Sequence, residues 1–293
     1  MKNIGVITNK DKDGDLAYTS VLVESIARHG GKVRICGNAA GKLGIQNENL
    51  DENDVVNLSE MLICLGGDGT FLRVARKAFR KKLPMLGINL GSLGFLTEVD
   101  KNDIDDAVKR LFKGEYKIEE RMMLDVSVNC NGKTIAEDTA FNDIVISRGA
   151  LSKIIHVKTY INEMFVDNYP SDGLIISTPT GATAYSLAAG GPIVEPDVDM
   201  IIVTPICPHI LYARSIITTG DRKVKAVVGE NYEHEAMVTV DGQEGYAVRG
   251  GDCIVVKKSE HSVKVVRIYS RNHFNVLRRK IYDRGECLRK NEI

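Results

Sequence analysis

A chain of 293 residues with 43% apolar and 27% charged residues is a globular protein long enough for two domains of ordinary size. Lys+Arg and Asp+Glu balance at 39 each, so no global field draws it to nucleic acid or to an anionic membrane surface. No stretch approaches the roughly 20 apolar residues of a membrane span, and the opening run Met1–Ile7 is too short for a signal peptide.

Asn3 to Thr8 reads as a first strand, and Leu16 to His29 as a helix ended by Gly30-Gly31. Lys32 to Cys36 gives a second strand. Residues 37–54 are polar and Gly/Asn-rich and read as a flexible connection. Met61 to Leu65 is short, apolar and bounded by glycine, the pattern of a strand buried on both faces. Phe71, Val74, Ala75, Ala78 and Phe79 then fall at helical spacing. Arg73, Arg76, Lys77 and Arg80 lie on the opposite face, and Thr70 is placed to cap the helix. Leu83 to Ile88 is a further strand. Ile104, Ala107, Val108, Leu111 and Phe112 make an amphipathic helix, entered through Asp100–Asp103 and closed by Gly114. This alternation predicts a Rossmann-like α/β domain with a parallel sheet over residues 1–118.

Past Gly114 the apolar period shortens to that of strands. Ile118, Met122, Leu124, Val126 and Val128 alternate with polar residues up to a turn at Asn131-Gly132. Further strands are expected at 141–147, 155–161, 174–177, 200–204, 216–219, 223–228, 237–240, 253–257 and 263–269. Residues 119–267 therefore read as a second, mainly β, sandwich-like domain. The basic tail from His273 to Lys280 reads as a terminal helix, and residues 268–293 are expected to pack back on the first domain. The six cysteines (36, 64, 130, 207, 253 and 287) include no C-x-x-C, which fits reduced thiols in a cytoplasmic protein and argues against zinc.

Four polar, glycine-rich stretches interrupt these elements. Gly66-Gly67-Asp68-Gly69-Thr70 joins strand to helix, where backbone N–H groups and the helix N-terminus favour a phosphate. A carboxylate in such a turn needs a reason. Asn89 to Phe95 ends the next strand with Gly91 and Gly94, at the sheet edge where open α/β folds bind ligands. Asn142-Asp143 breaks a β run. Asp172-Gly173 through Pro192 combines hydroxyls, small residues and Tyr185, a surface suited to close backbone approach and stacking. The dinucleotide fingerprint fails because Leu72 stands where its last glycine belongs, and Gly37–Leu43 is too short for a P-loop.

These stretches, with Val240-Asp241-Gly242-Gln243 and the tail Phe274 to Lys280, resemble the NAD kinases, which phosphorylate the 2′-hydroxyl of the adenosine ribose of NAD. The glycine–aspartate turn by itself is similar also to phosphofructokinases and to diacylglycerol or sphingosine kinases. A lipid kinase of the diacylglycerol kinase type is therefore the alternative reading. The run from Thr178 to Ser186 is narrower, and it is hydroxyl-rich where a lipid kinase would need an apolar cleft.

The resemblance implies that Asp68 is the base or orienting acceptor for the ribose hydroxyl and that Gly69 lines the same pocket. Gly66, Gly67, Gly69 and Thr70 would form the phosphate-binding turn, with Arg73 reaching a phosphate. Asn142 and Asp143 would bind the adenosine part of NAD, and Asp172 the nicotinamide end. Thr183, Ala184, Tyr185, Ser186, Leu187 and Ala188 would line the adenine and ribose site. Gln243 and Lys153 would add polar contacts. The resemblance also implies ATP (or polyphosphate) as donor, Mg²⁺ or another divalent cation carried by ATP rather than by dedicated protein ligands, and a homodimer or homotetramer. Two departures stand out. Pro170 stands where many family members have arginine, and a ring with fixed φ and no N–H cannot clamp a pyrophosphate, so either Arg148, Arg73 or a partner subunit compensates or the affinity for the dinucleotide is lower. Asp143 stands where glutamate is common, keeping the charge on a shorter reach.

Overall fold

The computed structural model describes residues 2–45, 49–92, 94–149, 153–269 and 273–280. The chain divides into one unit of residues 1–120 with 263–293, and a second of residues 121–262.

The first unit contains strands β1 (Asn3–Thr8), β2 (Lys32–Ile35), β3 (Met61–Gly66), β4 (Pro84–Asn89) and β5 (Val99–Asp100). Helices α1 (Ala17–Arg28), α2 (Gly37–Lys42), α3 (Glu52–Asn57), α4 (Asp68–Ala78) and α5 (Ile104–Lys113) lie between them. β1 pairs in parallel with β2 and β3, and β3 with β4, so each connection must cross over through a helix. Every residue of β3 is buried, as its unbroken apolar run requires. α1 starts without a capping side chain at Leu16, which sits at φ 60°. The buried Asp13 carboxylate supplies the cap from the preceding loop, accepting the N–H groups of Tyr18 at 3.1 Å and Thr19 at 2.9 Å.

Two expectations in this unit are corrected. Residues 37–54 do not form one flexible connection, because α2 and α3 occupy much of the stretch. Asp51 opens α3 with a reciprocal cap: its carboxylate accepts the Asp54 N–H at 2.8 Å, and the Asp54 carboxylate accepts the Asp51 N–H at 3.1 Å. Each helix has six residues, too few for apolar periodicity to show. Nor does Thr70 cap α4. The helix begins at Asp68 with Gly67 as its N-cap, and the Thr70 hydroxyl accepts Asn9 Nδ2 at 3.0 Å.

The second unit takes up β6 (Lys117–Cys130) from Arg121 onward, β7 (Lys133–Ala140), β8 (Asp143–Arg148), β9 (Ile155–Ile161), β10 (Met164–Ser171) and β11 (Gly173–Ser177). After the short helix α6 (Tyr185–Ala188) come β12 (Met200–Ile206), β13 (Ile216–Thr219), β14 (Val224–Val228), β15 (Ala236–Val240), β16 (Glu244–Val248) and β17 (Cys253–Arg267), whose residues from Val263 onward belong to the first unit. One sheet has the order β13-β12-β11-β8-β15-β16. Facing it are β10, β9, β14 and β17 with the β6–β7 hairpin. A shared core interleaves Leu124, Val126, Val157 and Val256 from one side with Ile144, Ile176, Val203 and Val238 from the other. This is the packing of a β-sandwich.

β7, β10 and β16 escape the sequence reading because most of their residues are exposed or half-buried and they show no clean apolar alternation. The two strands expected at 253–257 and 263–269 are instead the single strand β17. Its first residues pair with β14, while Lys264 and Val265 run parallel to Pro84 and Met85 of β4. The polar stretch 257–262 stays extended without an apolar stripe to announce it. Residues 273–280 are helical and belong to the first unit; the rest of the tail, 281–293, lies outside the described residues. Among the described residues no helix is long and apolar enough to cross a membrane. Cys36, Cys64, Cys130, Cys207 and Cys253 are free thiols, and Cys287 lies outside the described residues.

Candidate active site

In the first unit the reason for the carboxylate in the glycine turn is visible. Asp68, at the first position of α4, reaches across to the loop after β4. Its Oδ2 accepts the Phe95 N–H at 2.8 Å, and its Oδ1 accepts the N–H groups of Leu96 at 3.0 Å and Thr97 at 3.1 Å. The Thr97 hydroxyl donates to the same oxygen at 3.1 Å. Asp68 is thus the acceptor that ties the first glycine turn to the second. It remains about a third exposed, at 30% of its side-chain surface. Lys280, in the helical residues 273–280, places Nζ 3.6 Å from Asp68 Oδ2 and 4.6 Å from the centre of the Phe95 ring. Asn89 shapes the second loop, with Nδ2 donating to the Gly91 carbonyl at 2.7 Å. Leu93 lies outside the described residues.

A cation that the sequence reading missed stands at this turn. A Cβ placed on Gly67 would lie 3.1 Å from Lys12 Nζ, and one on Gly91 would lie 3.5 Å from it. The ammonium therefore hangs over both glycine loops. The β1–α1 loop that carries it is fixed by Asn9, whose Oδ1 accepts the N–H groups of Asp11 at 2.9 Å and Lys12 at 3.2 Å. Among the described residues no carboxylate forms an ion pair with Lys12, so its charge is available to an anion at the α4 N-terminus. The sequence signal was faint: one lysine in a polar loop after the first strand.

Arg73 does not face the turn alone. Its guanidinium pairs with Glu52 of α3, which Lys77 also approaches at 3.3 Å. The segment read as a loose connection thus supplies the partner of a candidate phosphate ligand. Gly69 is exposed, and Thr70 is buried.

In the second unit, Asn142 and Asp143 sit at the start of β8, beside the ends of β11 and β15. Asp241 organises this corner. Its carboxylate accepts the N–H groups of Phe141 at 2.9 Å, Asn142 at 2.7 Å and Asp143 at 3.1 Å. The Asp143 carboxyl is buried beside that anion. Burial first, and the Asp241 charge second, push it up to about 7. The Thr178 hydroxyl donates to the Phe141 carbonyl at 2.7 Å, and Thr178 N–H to the Asn142 carbonyl at 2.9 Å. Gln243 is exposed in the turn just after Asp241, at the same end of the sheet. The chain from Thr183 to Ala188 leaves this corner by way of a short turn and α6. Thr183, Ala184 and Leu187 are partly exposed and Tyr185 and Ala188 exposed, while Ser186 is buried with its hydroxyl 3.1 Å from that of Thr204.

Two named residues are not brought to this corner. Asp172 lies at the opposite end of β8 and β11, with Gly173 opposite Ser147. Five residues of strand separate the two ends, about 17 Å at the ordinary rise. There Asp172 Oδ1 accepts Arg148 Nε at 2.7 Å. Lys153 lines a cavity of about 420 Å³ with His156, Lys158, Asn168, Tyr232 and His234, whose wall includes none of the other site residues. Pro170 sits in β10 opposite His156. The arginines that could replace the missing one, Arg73 and Arg148, each hold a carboxylate of this chain.

A phosphate-favouring helix start, a carboxylate tethering two glycine loops and a separate polar corner on a β-sandwich fit an enzyme of the phosphotransferase class. Comparison with known proteins narrows the class. The N-terminal ATP-NAD kinase domain matches residues 4–116, and the C-terminal ATP-NAD kinase domain residues 141–268. The NAD kinase of Acetivibrio thermocellus is 60% identical over 289 residues, 99% of this chain and 100% of that protein. That of Ruminiclostridium cellulolyticum is 51% identical over 286 residues, 98% of this chain and 100% of that protein. Among solved structures, an Archaeoglobus fulgidus NAD kinase in complex with ATP gives a TM-score of 0.74 at 25% identity, covering 96% of this chain and 98% of that one. A yeast NADH kinase complexed with NADH shares the fold, with a TM-score of 0.83 at 24% identity over 95% of this chain and 86% of that one. The chain belongs to the NAD kinase family. Its reaction is the phosphorylation of NAD.

Proposed function

We propose that the enzyme transfers the γ-phosphoryl group of ATP to the 2′-hydroxyl of the adenosine ribose of NAD, with Asp68 as the group that accepts the hydroxyl proton. The observation that carries this reading is the Asp68 carboxylate, fixed by four hydrogen bonds at the N-terminus of α4 yet partly open to solvent. Phosphoryl transfer depends chiefly on positioning and charge neutralisation, and a well-placed base adds about 10² to 10⁴ in rate. The glycine turn of Gly66, Gly67, Gly69 and Thr70, with the Lys12 ammonium, offers N–H groups and positive charge to the donor's phosphates.

The dinucleotide is assigned to residues of the second unit. Asn142 and Asp143 take the adenosine part, and Asp143 near neutrality can either donate or accept a proton. Thr183 to Ala188 and Gln243 line the adenine and ribose site, and Asp172 takes the nicotinamide end. The length of strand between Asp172 and Asp143 suits the two ends of an extended dinucleotide. Arg73 and Lys153 remain proposed polar contacts. Arg73 reaches a phosphate only by sharing or leaving Glu52.

The divalent cation is assigned to ATP's own phosphates, where it would offset their charge. Among the described residues no three His, Cys, Asp or Glu side chains converge into a group that could hold a metal. We place the enzyme in the cytoplasm as a homodimer or homotetramer. The support for a second copy is the nearly bare Leu211, 98% exposed, and Tyr212, 73% exposed, apolar surface that it would cover. The lipid-kinase alternative has no support, since both halves of the chain match NAD kinase domains.

The test is purified protein with Mg·ATP and NAD, the product measured by a NADP-specific dehydrogenase, with polyphosphate and diacylglycerol as alternative donor and acceptor. NADP should form from ATP, and Asp68→Asn should lose at least a hundredfold in turnover. A near-normal rate in that variant would remove Asp68 from the chemistry.

A further inference from the structure

Arg267, at the end of β17, is 14% exposed at its side chain and points at the loop that Asp68 holds. Its Nη2 donates to the Phe95 carbonyl at 3.2 Å and its Nη1 to the Leu96 carbonyl at 3.4 Å. The Phe95 carbonyl and the Leu96 N–H belong to one peptide group, and the Leu96 carbonyl and the Thr97 N–H to the next. Both N–H groups donate to Asp68 Oδ1. Two rigid peptide planes are therefore gripped at both ends, by a guanidinium on their oxygens and by a carboxylate on their hydrogens.

We propose that Arg267 is a positioning residue for Asp68, acting through the peptides 95–96 and 96–97. The inference rests on the reading of Asp68 as the reacting group. A cation on a peptide oxygen draws electron density from the N–H and strengthens the bond that the N–H donates, so the two charges reinforce each other through the planes. The planes also fix where the carboxylate can point, because tilting it would tilt both peptides against the guanidinium. Arg267 itself cannot drift. Its Nε donates to Glu119 Oε2 at 3.0 Å, and Glu98 Oε2 lies 3.7 Å from Nη1. Glu98 is held in turn by the N–H groups of Ile268 at 2.5 Å and Tyr269 at 3.0 Å. Lysine cannot replace this fork, since one ammonium cannot meet two carbonyls in the same plane as a guanidinium does.

The test is a double-mutant cycle on kcat with Arg267→Met and Asp68→Asn, and Arg267→Lys as the variant that keeps the charge in the core. Arg267→Met should lower kcat about tenfold or more, a loss of aim of the size that small misplacements cause, with the KM values for ATP and NAD changed less than about threefold. Arg267→Lys should recover part of the loss. In the Asp68→Asn background the same change should cost less than about twofold, because no reacting carboxylate is left to aim. Amide hydrogen exchange at Leu96 and Thr97 should quicken in Arg267→Met while β1 and β3 stay protected. An equal loss in both backgrounds, a change confined to KM, or unaltered exchange at those two amides would overturn the proposal. The kcat of Asp68→Asn alone decides separately whether Asp68 is the reacting group, so the two failures are distinct.

Discussion

The carboxylate of Asp68 leaves no room for a side chain at residue 94: a Cβ on Gly94 would lie 1.9 Å from Asp68 Oδ1 and 2.4 Å from Thr97 Oγ1. Both oxygens belong to the bonds that close the second loop onto α4, so the glycine is required by close approach. Gly94→Ala should push the loop off the carboxylate, cost about 1–3 kcal/mol of stability and lower kcat at least tenfold. Thermal unfolding and steady-state rates at saturating ATP and NAD check this. Wild-type values of both would show that the loop accommodates a methyl group.

Lys12 should act on the donor. With its ammonium over Gly67 and Gly91, Lys12→Ala should raise the KM for ATP roughly tenfold, the equivalent of one charge-assisted hydrogen bond, and leave the KM for NAD nearly unchanged. Initial rates with each substrate varied in turn separate the two. A rise in the KM for NAD alone would place the cation at the wrong substrate.

The Asp143 carboxyl gives the fold a pH dependence of known sign. Its value of about 7 lies above the ordinary 3.8, so between those limits the folded protein keeps a proton that the unfolded chain has released. Stability from this group is complete below about pH 4 and is lost as pH rises through 7, by at most about 1.4 kcal/mol per pH unit. Asp143→Asn cannot ionise. Its melting temperature relative to wild type should therefore gain with pH from 5 to about 7 and level off above it. A difference that stays constant would assign the titration elsewhere.

The reciprocal cap of α3 makes a prediction about the stretch that reads as a loose connection. Asp51→Ala should cost about 1 kcal/mol, and Asp54→Ala a similar amount, while turnover at saturating substrates stays close to wild type. Denaturant unfolding of the two variants is the measurement. No loss in either would mean that the reciprocal cap adds nothing to the stability of the fold.

What could be read from the residues follows from length and burial. β3 is an unbroken apolar run and α5 a full amphipathic face ended by Gly114 at φ 75°, so both are legible. α2 and α3 are too short to show a period, and β10 and β16 are edge strands with exposed residues, so neither pair is. The glycine–aspartate turn was equally legible as the passage from strand to helix.

The sequence by itself therefore determined the α/β order, the β-rich second half and the family, because these depend on local periodicity and on residues close along the chain. Only the tertiary structure decided what the polar side chains do to one another. Asp68 meets the amides 27 to 29 positions away, Arg267 reaches carbonyls 171 and 172 positions back, and Asp241 holds amides up to 100 positions earlier. The same holds for the arginines considered as substitutes at Pro170, which turn out to hold Glu52 and Asp172. A hydrogen bond is directional and a few ångströms long, so it is set by which loops the folded strands bring together. Spacing along the chain carries no trace of it.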